Sequence, residues 1–416
     1  MWVAPDMTGA GCALGGVDLA RAARAPGPDG KERQAGPGLW LRALAVLGPG
    51  LLAMAGDNDA GGLLSYAATG AQFGAGRFVL LLLPLAACTV VVQDMALRLG
   101  TATGRGLAEL VRTRYSRPWA VLAGCDLAVQ NWLTLVTEFA GMGVALRHFG
   151  VPLPLGLGLS CALVLTLVLA YPYRIAERLG VGLGVASLLF VPLALGVLHH
   201  GSAPVWGARP GGNLRLFLVA TAGNALAPWM VFFQAQASAE RGGSVAAGRW
   251  DLGAGAVVQW VVAASVLVLG AAGVEAGAHG TGGLAGDLFA VGLFDAGLVA
   301  ALTVSLSTAW AVTQAFGGVA RPSARAREAP GFYGAYAGGV VLAAAAVLLP
   351  GLSPSTVAVA VQAASAVLLP PILVLLLSLC NDPAVMPARR NGPLGNALGG
   401  MVVALFTVAS LWLLLG

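Results

Sequence analysis

Beyond residue 40 the chain alternates between apolar runs and short polar joints. The runs are about 20 residues or longer, the length a helix needs to cross the hydrocarbon core of a bilayer. Eleven can be drawn, at roughly 45–70, 77–98, 118–147, 153–171, 179–199, 213–238, 253–274, 285–316, 333–350, 354–379 and 394–415. Several exceed the minimum and need tilt, a break or an extension into water. Residues 1–40 are a Gly-, Ala-, Pro- and Arg-rich tail, expected to be mostly disordered in the cytoplasm. No basic residue precedes its first apolar run, and Asp6 and Asp18 interrupt it, so a signal peptide is not expected.

Composition agrees with the pattern. Apolar residues make up 58% of the chain and charged residues 10%, against about 25% charged in soluble proteins. The class is an all-α polytopic membrane protein whose surroundings are a lipid bilayer. The pI of about 9.2 does not point to nucleic acid, because the positive charge sits in short loops and forms no continuous patch. With the amino terminus in the cytoplasm, 19 of the 23 basic residues fall on the inner side, and only Arg77, Arg147, Arg209 and Arg215 lie outside. That asymmetry satisfies the positive-inside rule, places the carboxy terminus outside, and fits the plasma (cell inner) membrane. A missed span would scramble it. The five cysteines have no CxxC spacing, so neither a disulfide framework nor a zinc site is expected.

Two runs are interrupted. The first carries Gly48-Pro49-Gly50 and then Gly56, Asp57, Asn58, Asp59, Ala60, Gly61 and Gly62. An ionised carboxylate at membrane depth costs several kcal/mol unless it meets a cation or water, and each interior glycine weakens a helix by about 1 kcal/mol. The helix is expected to unwind here and turn carbonyls and carboxylates toward a positive group. The sixth run contains Gly223, Asn224, Ala227, Pro228 and Trp229, and an interior proline removes a backbone hydrogen bond. Ala227 follows Asp59 by 168 residues and five spans. Spans 1 and 6 are therefore equivalent members of two five-helix units, about 45–199 and 213–379, with an extra helix at about 394–415. An odd number of spans per unit inverts the copies, and paired interruptions in inverted repeats point to an ion or substrate site at the bilayer midplane.

Over most of residues 40–415 these features resemble the natural-resistance-associated macrophage protein (NRAMP) family of divalent-metal transporters, which implies a LeuT-type fold. Gly48-Pro49-Gly50 and Asp59-Ala60-Gly61-Gly62 stand where the family has Gly-Pro-Gly and Asp-Pro-Gly-Asn. The segment from Arg98 to Glu109 is similar to the family's stretch after span 2. Thr137-Glu138 matches Thr-Asp in span 3, Ala227-Pro228-Trp229 matches Met-Pro-His in span 6, and Gln362 and Pro370 match the glutamine and proline of span 10. The departures resemble a magnesium-carrying branch. The metal-binding asparagine is Gly62 here, the soft methionine is Ala227, the histidine is Trp229, and a glutamate tied to proton movement is Asn131.

Ligand softness points the same way. A thioether selects transition metals, whereas Mg²⁺ takes hard oxygen ligands and retains several waters. Small residues at Gly62 and Ala227 leave room, and the expected donors are Asp59, the carbonyls near Gly56 and Asn224, Gln362 and Glu138. Mn²⁺ also accepts oxygen ligands. Glu138 is read as a second carboxylate facing the ion, against a structural partnership with an arginine or backbone group. Asp57 either joins the ion or, two positions from Asp59 on any residual helix, points elsewhere. Asp94, Asp126 and Asp295 are read as structural, with Asp295 pairing inside the bundle, and Trp229 as packing. His148, His199, His200 and His279 lie at outer span ends or in outer loops. With no intramembrane imidazole and with Asn131 unable to titrate, passive entry of Mg²⁺ or Mn²⁺ is expected. Its rivals are a proton-coupled Mn²⁺/Fe²⁺ symporter, a sodium-coupled amino-acid transporter and an intramembrane aspartyl protease. Neither an enzymatic activity nor a cofactor is expected.

Overall fold

Proline and glycine punctuate the helices. Span 1 is two half-helices, α1 (Pro49–Asp57) and α2 (Ala60–Phe73), separated by Asn58 and Asp59. There follow α3 (Gly76–Thr103) as span 2, a short helix α4 (Leu107–Arg114), α5 (Arg117–His148) as span 3 and α6 (Leu153–Leu169) as span 4. Span 5 is α7 (Tyr173–Ala186) and α8 (Phe190–His199), joined by a 3₁₀ turn at Ser187–Leu189. Span 6 is again broken, into α9 (Leu214–Ala225) and α10 (Pro228–Arg241). Spans 7 to 11 are α11 (Val245–Ala271), α12 (Leu284–Phe316), α13 (Pro330–Ala346), α14 (Pro354–Asn381) and α15 (Pro393–Leu415). This computed structural model describes residues 48–170, 173–201, 213–274, 283–318, 327–351 and 353–416. The tail expected at 1–40, Cys12, Arg209 and His279 lie outside the described residues.

Helices α1, α5, α6, α10, α13, α14 and α15 open with proline in the first turn. An N–H would have no helical partner there in any case, so proline starts these helices rather than breaking them. Span 7 begins eight residues before the apolar run at 253. Ser244 caps it by accepting from Ala247 N at 3.2 Å, and the charges that follow find partners: Arg249 donates to Asp94 at 2.6 Å and Asp251 binds backbone amides of α1. A charged helix end is stable when its charges are paired inside the protein, which apolar periodicity does not show. Asp94 also pairs with Arg98 at 2.8 Å, as expected for a structural acid. Beyond span 10, Arg114 donates to Asp382 and holds that carboxyl below the usual carboxylate range.

The packing has the symmetry of the inverted repeat. The span 3 helix α5 lies along α12 of span 8, its counterpart. Across the repeats α11 of the second packs on α1 and α2 of the first, and α3 of the first packs on α9 and α10 of the second. Likewise α7 touches α1 as α14 touches α9. The broken spans are thus enclosed by the rest of the bundle, with α15 outside on α14. Where α2 meets α11, two glycines oppose each other's backbone. A Cβ on Gly70 would lie 2.1 Å from Leu267 O, and one on Gly270 the same distance from Ala67 O. Gly270→Leu is therefore expected to lower the thermal unfolding midpoint of the detergent-solubilised protein, by at least the about 1–3 kcal/mol typical of overpacking. Gly158→Ala, where no atom lies within 4 Å, should leave the midpoint unchanged by tryptophan fluorescence.

Candidate metal centre

Four half-helix ends meet at the two interruptions. The carboxy ends of α1 and α9 bring the negative poles of their dipoles to the gap, and the amino ends of α2 and α10 bring the positive ones. Asp59 is the N-cap of α2, extended at φ −69° and ψ 165°, and its Oδ1 accepts from Gly62 N. Aspartate is among the preferred caps because a carboxylate satisfies an amide that the helix cannot. Glu138 of α5 completes this end: its Oε2 accepts from Ala60 N at 2.7 Å and its Oε1 from Gly61 N at 3.4 Å, with Thr137 Oγ1 donating to Oε1 at 3.2 Å. Two carboxylates therefore neutralise the pole that would repel a cation. At the second gap Leu226 and Ala227 are extended and Pro228 starts α10, so one amide of that pole is missing.

Several of the expected site residues converge. Gln362 Nε2 donates to Asp59 Oδ1 at 3.1 Å, and Asn224 Nδ2 donates to Gly62 O at 3.0 Å. A Cβ on Gly62 would lie 2.3 Å from Asn224 Oδ1 and 2.8 Å from Asp59 Oδ1, so both oxygens crowd the space a side chain at 62 would fill. Asn224 Oδ1 is buried with no hydrogen-bond partner. Buried acceptors of this kind are rarely left unpaired in native proteins, so it is an oxygen with capacity for a cation or water. Asp57, Asp59, Glu138, Asn224 and Gln362 are each at most 2% exposed, which closes the centre to solvent in this conformation.

The other positions diverge. Asp57 turns to span 7, where Gln259 Nε2 donates to its Oδ2 and also to Ala225 O at 3.0 Å. Thr89 Oγ1 donates to Ala225 O as well, at 2.7 Å, so that freed carbonyl is already engaged. Gly56 faces the Trp229 ring and Thr303. Ala227 contributes a backbone carbonyl, which accepts from Met230 N at 3.2 Å. Trp229 stacks edge-on against Phe233. Asn131 donates to Thr308 Oγ1 at 2.8 Å and to Val304 O, tying spans 3 and 8. The expectation that Asp295 pairs within the bundle is not met, since both its oxygens are buried without a hydrogen-bond partner. Asp126 likewise has one buried oxygen without a partner. Among the described residues no three His, Cys, Asp or Glu side chains group as metal ligands. An ion here would rest on Asp59, amide and carbonyl oxygens and water. Gln259 and Thr89 are further polar residues of the centre; their only mark in the sequence is a polar side chain inside an apolar run.

Comparison with known proteins places this geometry. The family model described as natural resistance-associated macrophage protein-like matches residues 50–416. A divalent metal cation transporter MntH of Mesorhizobium japonicum is 40% identical over 121 residues, 28% of this chain and 26% of that protein. MntH of Levilactobacillus brevis is 34% identical over 119 residues, 28% and 25%. The matched segment thus spans about a quarter of the curated relatives' length. The fold of a manganese transporter of Eremococcus coleocola superimposes with a TM-score of 0.71 at 20% identity, covering 90% of this chain and 87% of that one. MhsT, solved with L-phenylalanine, gives 0.60 at 15% identity over 88% and 97%. The architecture is accordingly the LeuT-type fold, with spans 1 and 6 broken and an eleventh helix added.

The Glu138 contacts can be tested without any ligand. Glu138→Ala strips two buried amides of their acceptor, at about 1–3 kcal/mol each, and should lower the unfolding midpoint. Glu138→Gln retains one oxygen and should lower it less in the same thermal scan.

Proposed function

The chain belongs to the NRAMP family, and from that premise we propose that it carries divalent metal cations into the cytoplasm by alternating access, with Mg²⁺ as the main cargo and Mn²⁺ as a second. The observation behind this is the donor set at the break. Asp59 and the unpartnered Asn224 oxygen are hard oxygen groups, Gln362 holds Asp59 through its amide NH₂, and Ala227 contributes no sulfur. Such a set favours a hard, partly hydrated ion over a soft one. The inner-side excess of arginine supports a plasma-membrane protein with a cytoplasmic amino terminus and an external carboxy terminus.

Entry proceeds without a coupled proton. Asn131 and Trp229 do not titrate, and among the described histidines His148 is paired at the outer end with Asp287, at 2.8 Å, while His199 and His200 stack at the end of α8. The membrane potential is a sufficient drive, at about 2.3 kcal/mol per elementary charge for each 100 mV. An amino-acid cargo is disfavoured by the α2 amino end. The amides that would hold a substrate carboxylate are occupied by Asp59 and Glu138.

Proteoliposomes separate the readings. Uptake of Mg²⁺ and Mn²⁺ that leaves an internal pH dye unchanged, exceeds Cd²⁺ uptake and disappears with Asp59→Ala is the expected result. Strong Cd²⁺ uptake with matching acidification would replace it by a proton-coupled transition-metal symporter. Calorimetry should likewise show Mg²⁺ heats for the wild type and none for Asp59→Ala.

A further inference from the structure

A carboxylate outside the centre that binds backbone amides is Asp251, near the start of α11 and 5% exposed. Its Oδ1 accepts from Gly48 N at 2.8 Å and from Leu51 N at 3.2 Å, and its Oδ2 accepts from Gly50 N at 2.8 Å. These are amides that the first turn of α1 cannot satisfy internally, and the carboxylate also faces the positive pole of that half-helix. The fit is tight: a Cβ on Gly50 would sit 2.9 Å from Asp251 Oδ2 and 2.8 Å from Leu252 N. The Arg241 guanidinium, at the end of α10, fills the space beside Gly48 and lies 3.9 Å from Glu177 of α7. The amino end of α1 is therefore bound by Asp251 of span 7 and flanked by Arg241 of span 6. Its other end is a two-residue break at the metal centre, a natural hinge.

We propose that Asp251 is the positioning residue of the cytoplasmic gate: its carboxylate latches the amino end of α1 onto span 7, and releasing those three amides lets the half-helix swing aside so that the ion can leave. This rests on the transport function and orientation proposed above. The latch suits a gate because one side chain carries all three bonds, so they break together. The contacts at the outer half-helix, from Glu138 and Asp59 to α2, are undisturbed when it opens. The Gly48-Pro49-Gly50 sequence fits the role. Pro49 has no N–H, Gly50 leaves room for the carboxylate and Gly48 leaves room for the Arg241 guanidinium.

The test uses the full chain in lipid nanodiscs, with hydrogen–deuterium exchange of the 48–57 segment and Mg²⁺ calorimetry on the same samples. Asp251→Asn presents an NH₂ group to the amide donors, and Gly50→Ala pushes the helix off the same contact from its other side. Both are expected to raise exchange in 48–57 at least tenfold, leave exchange in α2 and α5 as in the wild type, and keep the Mg²⁺ heat. In sealed proteoliposomes, and in a background with the five native cysteines replaced, labelling of Ala53→Cys by an impermeant thiol reagent should accelerate from the cytoplasmic face only, which a merely structural role would not produce. Wild-type exchange in 48–57 for both variants would overturn the latch, as would faster exchange spread equally over all helices, or labelling that accelerates from outside. If the wild type itself neither binds nor carries a dication, the transport reading fails while the exchange result still decides whether Asp251 holds α1.

Discussion

A helix broken in the middle of a membrane exposes backbone amides and carbonyls where no lipid can bond them, and this constraint governs the bundle. Irregular backbone at that depth persists only when protein groups or an enclosed aqueous space satisfy it. Here the satisfaction is specific. Asp59 and Glu138 take the amides of α2, and Thr89 and Gln259 take the carbonyl of Ala225. Each partner other than Asp59 comes from a different span, so spans 2, 3 and 7 are needed to keep the breaks open. The enclosure of spans 1 and 6 is thus a chemical requirement as well as a packing outcome.

The same bonds divide the carboxylates by task. Glu138 spends both oxygens on backbone amides and Asp57 is tied to Gln259. Asp59 is shared between its own helix and Gln362, and it adjoins the unpartnered Asn224 oxygen. One carboxylate with neutral oxygens around it is a weaker field than a cluster of acids.

The breaks themselves are legible in the sequence because the residues that cause them are conspicuous. Asp57, Asp59 and three glycines cannot belong to an ordinary membrane helix, and Pro228 stands at the matching place five spans later. The eleven spans are legible too, since the bilayer sets their length. The partners of the broken ends are not. Glu138 reads as a carboxylate facing the ion, with an arginine or backbone partner as the alternative, and its bonds to Ala60 N and Gly61 N appear only in the fold. Gln259 and Asp251 act across about 200 residues of chain, a separation that no periodicity encodes. Span 7 extends beyond its apolar run for the same reason: Arg249 and Asp251 are compensated by residues that only the fold brings near.

Gly62 and Asn224 show how one departure changes what a second residue can reach. A side chain at 62 would occupy the place where the Asn224 amide now lies, 2.3 Å from the position of its Cβ. With glycine there, the amide reaches across from α9, donates to Gly62 O and presents its oxygen beside Asp59. An amide oxygen is therefore retained next to the carboxylate although position 62 has no side chain, but it is carried by span 6 rather than span 1. The donor then belongs to the helix opposite Asp59, so any ion binding both would bridge the two repeats. Any relative motion of the repeats would change the number of oxygens such an ion could hold.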